Sequence, residues 1–470
     1  MSRIDLGVLP ITALLLAGCA TVDVDQAIGR ANDAAPGFTA GRLELSRTAE
    51  QRARRATLAD ELLAAPLTQD GAVQLSLANS PALQTLLAQN WAEQSTAVQR
   101  GRLPNPVFAF ERLRIGDELE FGRLLSFGLL DLLTLPQRAA LARNQQAQAA
   151  TQLTAGVVEH VSQVRQAWVR AVAAQQMLGY ARQVQRAGEA SAELAKRMQQ
   201  AGNFTRLQRA RQHAFYADAT ARLASAQHAA TAAREELVRQ LGLDDTQAQK
   251  LTLAQRLPDL PAQPRAPAEV SAAALQQRLD VQLARQQLDV AGRSQGLDLL
   301  HSLVDTEIGV RRDTVFDGGR RDNRRGWELE IRLPLFDWGG AQRAALNAHS
   351  LAAANRYEAV TRSAGSQLRE SYSAYRTALD VARHYRDEIV PLRKTMAEEN
   401  VLRYNGMLIG VFELLADTRD QIAGVAAAID AQQQFWLADA ALSAAMIGKP
   451  LAAPAATASG AGAPAGTGGH

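Results

Sequence analysis

The chain has 470 residues and a formal net charge of +3 spread over 51 basic and 48 acidic side chains, so it lacks the surplus of positive charge that a nucleic-acid surface needs. Aromatic residues make up only 5% of it while alanine and glutamine abound, which speaks against a large globular core and for long helices packed through small side chains. Past the N-terminus no run approaches the roughly eighteen apolar residues of a membrane-spanning helix, so none is expected.

The N-terminus reads as an export signal. Arg3 supplies a basic start, Leu6 to Leu16 an apolar stretch broken by Thr12, and Leu16-Ala17-Gly18 ends on small residues before Cys19. Cys19 is the sole cysteine, which leaves no partner for an intramolecular disulfide. The Leu-Ala-Gly-Cys sequence resembles the bacterial lipobox, which implies cleavage after Gly18 and acylation of Cys19. Ala20 and Thr21 follow without an aspartate, which by resemblance to lipoprotein sorting signals favours the outer membrane. Residues 1–18 are thus expected to be a signal peptide, and 19–56 a mobile, Arg-rich anchored segment.

Two halves follow, 57–256 and 268–450, joined by a Pro-rich linker at 257–267. Gln137-Arg138-Ala139-Ala140-Leu141 recurs as Gln342-Arg343-Ala344-Ala345-Leu346. Val164 and Trp168 match Leu368 and Tyr372, Gly202 matches Gly406, and Leu241-Gly242 matches Ile447-Gly448, all at an offset of about 205 residues. Landmarks in one order at nearly one spacing mark an internal duplication. Each half opens with a helix, from about Ala72 to Arg102 and from about Ala268 to Leu299. A long unbroken helix follows, from Pro136 to Gly202 and from Gly339 to Gly406, each roughly 100 Å at 1.5 Å per residue. Gly202 and Gly406 then reverse the chain into return helices of about 40 residues. Residues 451–470, rich in Ala, Gly, Pro and Thr, are expected to be disordered.

Between the helices lie alternating segments. Val304, Thr306, Ile308 and Val310 alternate with Asp305, Glu307, Gly309 and Arg311, while Trp327, Leu329, Ile331, Leu333 and Leu335 alternate with Glu328, Glu330, Arg332 and Pro334. Period two with one apolar face predicts strands long enough to cross a bilayer within a barrel. Asp317-Gly318-Gly319 predicts a turn in an Arg-rich loop between them. Weaker equivalents run from Val107 to Ile115 and from Leu119 to Phe127, where Arg123 falls on the apolar side. Phe108, Phe110, Phe121, Trp327, Phe336 and Trp338 concentrate here, as an interfacial girdle requires. The apolar run Leu129–Leu135 has no evident role.

These parts together resemble the TolC-like outer-membrane efflux family. Ala78-Asn79-Ser80-Pro81 is similar to the family's first-helix element. Arg278-Leu279-Asp280 sits where the family usually has Arg-Pro-Asp, with the proline lost. Leu333-Pro334-Leu335-Phe336-Asp337-Trp338-Gly339-Gly340 is similar to its strand-to-helix turn, and Arg403-Tyr404-Asn405-Gly406, followed by Phe412-Glu413-Leu414-Leu415-Ala416, to its hairpin tip. The resemblance covers roughly residues 58–450. It implies a mainly α fold with a small β part: duplicated long antiparallel helical hairpins form a periplasmic tunnel, and four strands per protomer complete a trimeric twelve-stranded β-barrel. It further implies a passive conduit in the outer membrane, working with a periplasmic adaptor and an inner-membrane pump. The alternative is a periplasmic coiled-coil structural lipoprotein without a barrel, which would have no use for two amphipathic strand pairs.

No enzyme is expected. The seven histidines show no ligand-like spacing, no Gly-rich phosphate loop follows a strand and no nucleophile motif stands out, so neither metal nor cofactor is called for. Past the second tip Glu413, Asp417 and Asp420 stand at i, i+4 and i+7 on one helix face. The equivalent place in the first half carries Arg206, Arg209 and Arg211. These suggest a closed, cation-preferring entrance latched by pairs such as Arg206 or Arg209 with Glu413 or Asp417. The tips around Gly202, Gly406 and Arg403 are the expected adaptor contacts.

Overall fold

The computed structural model describes residues 23–267, 278–303, 306–333 and 335–450. Cys19, the signal segment and the tail after 450 lie outside them. The elements run α1 (Val24–Ala34), α2 (Pro36–Thr39), α3 (Ala49–Leu63), α4 (Gln69–Asn79), α5 (Pro81–Arg100), β1 (Val107–Ile115), β2 (Glu118–Gly128), α6 (Leu129–Gln200), α7 (Arg206–Leu241), α8 (Asp245–Lys250), α9 (Leu279–Leu303), β3 (Thr306–Asp317), β4 (Arg320–Ile331), α10 (Gly340–His384), a π-helical turn (Tyr385–Ile389), α11 (Val390–Asn405) and α12 (Val411–Met446). They form two compact units, each taking segments from both sequence halves: Met1–Arg52, Pro81–Val157 and Leu275–Ala364 in one, the remainder in the other. The repeats are therefore units of sequence and not of packing.

The first unit holds the sheet. Its N-terminal segment, expected to be mobile, is ordered from Asp23. Asp23 caps α1, whose Val24, Ala27, Ile28 and Ala31 are buried. Gln84 of α5 then fixes the chain by accepting from Ser46 N and donating to Glu44 O, each at 2.9 Å. An apolar face every third or fourth residue outweighs the arginines that suggested mobility. The single helix expected from Ala72 to Arg102 is two, because Pro81 holds Ser80 extended (ψ 118°) and restarts the helix. Deeper in, Asn90 donates to Ala149 O at 2.6 Å and Gln286 to Thr151 Oγ1 at 3.0 Å, tying α5 and α9 to α6.

α6 begins at Leu129, seven residues before the expected start, so Leu129–Leu135 is its opening. Pro136 lies inside the helix as its eighth residue, where it cannot donate the usual helical bond to Leu132 O, and Asp131 pairs with Arg138 at 2.5 Å across that turn. α10–α11 is not unbroken. Pro391, which lacks an N–H, follows a π turn in which Val390 N donates back to Tyr385 O.

In the second unit, Trp168 of α6 donates to Leu67 O at 2.9 Å. Its repeat equivalent Tyr372 donates to Arg265 O at 3.1 Å, so the duplicated position keeps one job with a different donor. Around Tyr372 a core of Leu368, Tyr375, Leu379, Phe435 and Leu442 is packed, with Tyr375 and Phe435 ring centroids 5.6 Å apart. The Pro-rich linker lies against it: Trp436 and Gln432 both donate to Pro258 O, and Arg383 to Pro261 O.

Candidate functional site: a two-faced sheet and the hairpin tips

β1 to β4 form one antiparallel sheet in chain order. β3 and β4 are longer at their turn ends than the alternation suggested. The Arg-rich loop expected between them is strand up to Gly318 and Gly319, whose φ values of 55° and 83° close the hairpin, while Leu333 and Leu335 fall beyond β4. β1 and β4 are the outer strands, and every residue of both is exposed.

Register sorts the side chains onto two unlike faces. Strand pairs place Phe108, Leu125, Val310 and Trp327 in one row, with Phe127, Ile308 and Leu329 in the next toward the helices. Trp327 is 75% exposed and Val310 68%. Toward the turns the same face continues with Phe110, Arg123, Arg312 and Arg325, then Arg112, Phe121, Thr314 and Asn323, then Arg114, Leu119, Phe316 and Arg321. Among the described strand residues this face carries six arginines and no carboxylate.

The opposite face holds all nine strand carboxylates, among them Glu111, Glu120, Glu307, Asp313, Glu328 and Glu330, against Arg311, Arg320 and Arg324. Its large apolar residues come mainly from the edge strand β1. Arg311 is its hub, reaching Asp313 at 3.0 Å, Glu111 on β1 at 3.3 Å and Glu328 on β4 at 3.6 Å. Gly122 lies beside this network, and a Cβ there would sit 3.3 Å from Glu111 Cβ and 3.4 Å from the Arg311 guanidinium and from Asp313, a close fit. Ser126 donates to Glu307 at 3.0 Å. The period-two placing of Arg311 with Asp313, and of Arg320, Asp322 and Arg324, was the signal in the sequence for these outer strand ends.

In the second unit the tips reverse differently. Gly202 takes a left-handed φ of 78°, whereas at the second tip Met407 does (φ 58°) and Gly406 does not (φ −78°). Thr205 and Gln208 form a capping box that starts α7, and Arg206, Arg209 and Arg211 follow within its first two turns. That is the positive end of the helix dipole, an unfavourable place for cations. Arg209 donates to Gln199 Oε1 at 2.9 Å. Asp420 pairs with Arg393 of α11 at 3.2 Å, within its own hairpin. The Glu413 and Asp417 side chains lie outside the described residues, and so does any latch through them.

Among the described residues no cluster of His, Cys, Asp and Glu is arranged to hold a metal ion, and no helix is long and apolar enough to cross a membrane. No protein-family model and no curated protein sequence matches the chain. Solved structures do. A membrane protein from Pseudomonas aeruginosa matches with a TM-score of 0.67 at 20% identity, over 83% of this chain and 93% of that one. The Campylobacter jejuni CmeC outer membrane channel matches with 0.68 at 13%, over 83% and 86%. The open state of the Neisseria gonorrhoeae MtrE outer membrane channel matches with 0.64 at 19%, over 84% and 90%. At such identities the likeness speaks for architecture, and it agrees with the resemblance read from the motifs: this chain has the TolC-like outer-membrane factor fold.

Proposed function

We propose that the chain is one protomer of a trimeric, lipid-anchored outer-membrane channel that passively conducts substrates handed over by an inner-membrane pump through a periplasmic adaptor. The observation that carries this is the exposed sheet with one apolar and one acidic face and an open edge on each side. Open edges in lipid would leave backbone groups unsatisfied at several kcal/mol each, and closure with further copies removes them. Three copies give twelve strands, and the acidic face then lines the pore while the apolar face meets lipid.

The apolar band continues past the strands through Leu333, Leu335, Phe336 and Trp338 and, after β2, through Leu132 and Leu133, all exposed. This gives the Leu129–Leu135 run a role: it extends the lipid-facing band onto the opening of α6. A coiled-coil scaffold without a barrel would leave all of this surface in water. The arginines at the dipole-positive start of α7 and the second tip around Arg403, Gly406 and Met407 suit an adaptor contact, since a locally unfavourable charge is best explained by a partner. The likeness to solved channels supports the conducting role.

Purified protein in mild detergent, tested by light scattering and then in planar bilayers, decides the matter. A trimer with stable single-channel conductance is expected. A monodisperse monomer that adds no conductance would leave the scaffold reading.

A further inference from the structure

Six arginines on the face assigned to lipid pose a physical problem. Arg123, Arg312 and Arg325 stand directly opposite one another on β2, β3 and β4. Directly opposed residues on neighbouring strands have Cβ atoms about 5 Å apart, and like charges there are destabilising. Charged residues on a barrel's lipid face are costly near the bilayer midplane and much less so at its edge. The sequence nevertheless sends every acidic strand residue to the other face, where carboxylates could not neutralise this row. Among the described residues no carboxylate pairs with Arg312 or Arg325, and Arg123 Nε is buried without a hydrogen-bond partner although its Nη2 donates to Thr314 at 2.8 Å.

The arrangement is ordered. Arg112 lies 5.9 Å from the centre of the Phe121 ring and Arg321 6.0 Å from that of Phe316, so aromatic faces position these guanidinium groups. All six lie in the three rows at the turn end, and the three rows at the helix end are apolar. Alternate residues advance about 6.7 Å along a strand, so charge gives way to hydrocarbon-facing surface across a single row. Because the apolar band extends on the helix side through Leu335 and Phe336, the arginine rows fall at one margin of it.

We infer that these arginines form a binding belt for phosphate-bearing lipid headgroups in the leaflet at the turn end of the sheet, with the lipids' acyl chains lying along Phe108, Leu125, Val310 and Trp327. Guanidinium groups bind phosphate oxygens through paired N–H donors, and the exposed Asn323 amide adds a neutral donor between them, held in place by the buried Thr314 hydroxyl that donates to its Oδ1 at 3.1 Å. The occupant is an anionic lipid and not a free anion, because the belt is continuous with apolar surface that only an amphiphile can cover. The inference rests on the spanning role proposed above.

The test uses the full-length channel in phosphatidylcholine nanodiscs with and without phosphatidic acid, reading bound lipid by native mass spectrometry and trimer dissociation temperature. Wild type is expected to retain phosphatidic acid about tenfold over its bulk fraction and to dissociate at a higher temperature in its presence. Arg123→Gln/Arg312→Gln/Arg325→Gln should lose both effects while keeping its conductance, and Arg320→Gln/Arg324→Gln, on the opposite face, should keep both. Equal lipid retention by the triple variant would overturn the belt. So would the same stabilisation by inorganic phosphate alone, which would make it a free-anion site. If wild type neither assembles nor conducts, the spanning role fails and the belt falls with it, an outcome distinct from a conducting channel that shows no preference for phosphatidic acid, which sinks the belt alone.

Discussion

Arg278 and Asp280 form a closed fork: Arg278 Nε and Nη2 donate to the two carboxylate oxygens at 3.1 and 2.7 Å, while Nη1 donates to Ala364 O at 3.0 Å. The Arg278 side chain is fully buried. One residue thus ties the start of α9 to the middle of α10. The proline expected between them by resemblance is leucine, so the clamp depends on the fork and not on a fixed φ. Arg278→Met should destabilise the protein by about 3–5 kcal/mol, because Asp280 and the Ala364 carbonyl lose a buried partner. Arg278→Lys should recover only part, having no fork. A loss under about 1 kcal/mol by chemical denaturation in detergent would mean that water already satisfies this pair.

His160 gives the fold a pH dependence. Its Nε2 lies 2.6 Å from Ser76 Oγ, and burial holds its pKa below the ordinary 6.5. The folded chain therefore binds a proton less readily than the unfolded one. The stability this contributes is full above 6.5 and drains away as pH falls through that value toward the folded pKa. His160→Gln, which can keep the hydrogen bond without titrating, should flatten the thermal-stability profile as pH falls below about 6.5. An unchanged slope would assign the acid sensitivity to other groups.

The proposed channel has two sets of carboxylates that would set its ion preference, and variants separate them. Glu328→Gln/Glu330→Gln removes charge from the acidic sheet face and should lower cation over anion permeability without changing channel opening. Glu413→Gln/Asp417→Asn/Asp420→Asn acts at the second tip, where Asp420 meets Arg393 as an exposed pair worth about 0–1 kcal/mol. That triple change should raise open probability and weaken divalent block. Recordings indistinguishable from wild type would remove the tip carboxylates from the gate.

The proposed lipid anchor rests on one atom, the Cys19 sulfur. Cys19→Ser should abolish incorporation of radiolabelled palmitate and shift the protein out of the membrane fraction unless the barrel alone retains it. Label that persists in the variant would rule out Cys19 as the acylated residue.

Arg206→Glu/Arg209→Glu should weaken adaptor capture by well over tenfold at low salt and less at high salt, as expected when exposed charges steer association. Equal capture at both salts would place the adaptor elsewhere.

The duplication, the strand pairs and the long helices were legible in the sequence because each is a local pattern: a repeated pentapeptide, a period of two, a helical spacing of apolar residues from Val157 to Val172. Helix boundaries were less legible where one proline decided them, at Pro81, Pro136 and Pro391, since whether proline starts, enters or distorts a helix depends on the hydrogen bonds around it. The fixing of residues 44–46 could not be read from the Arg-rich N-terminus, because it depends on hydrogen bonds with Gln84, about forty residues away. The arginine row was beyond reach for the same reason. Arg123 looks like an error in an apolar strand until cross-strand register sets it beside Arg312 and Arg325, and register is a property of the folded sheet, fixed by hydrogen bonds between segments almost two hundred residues apart.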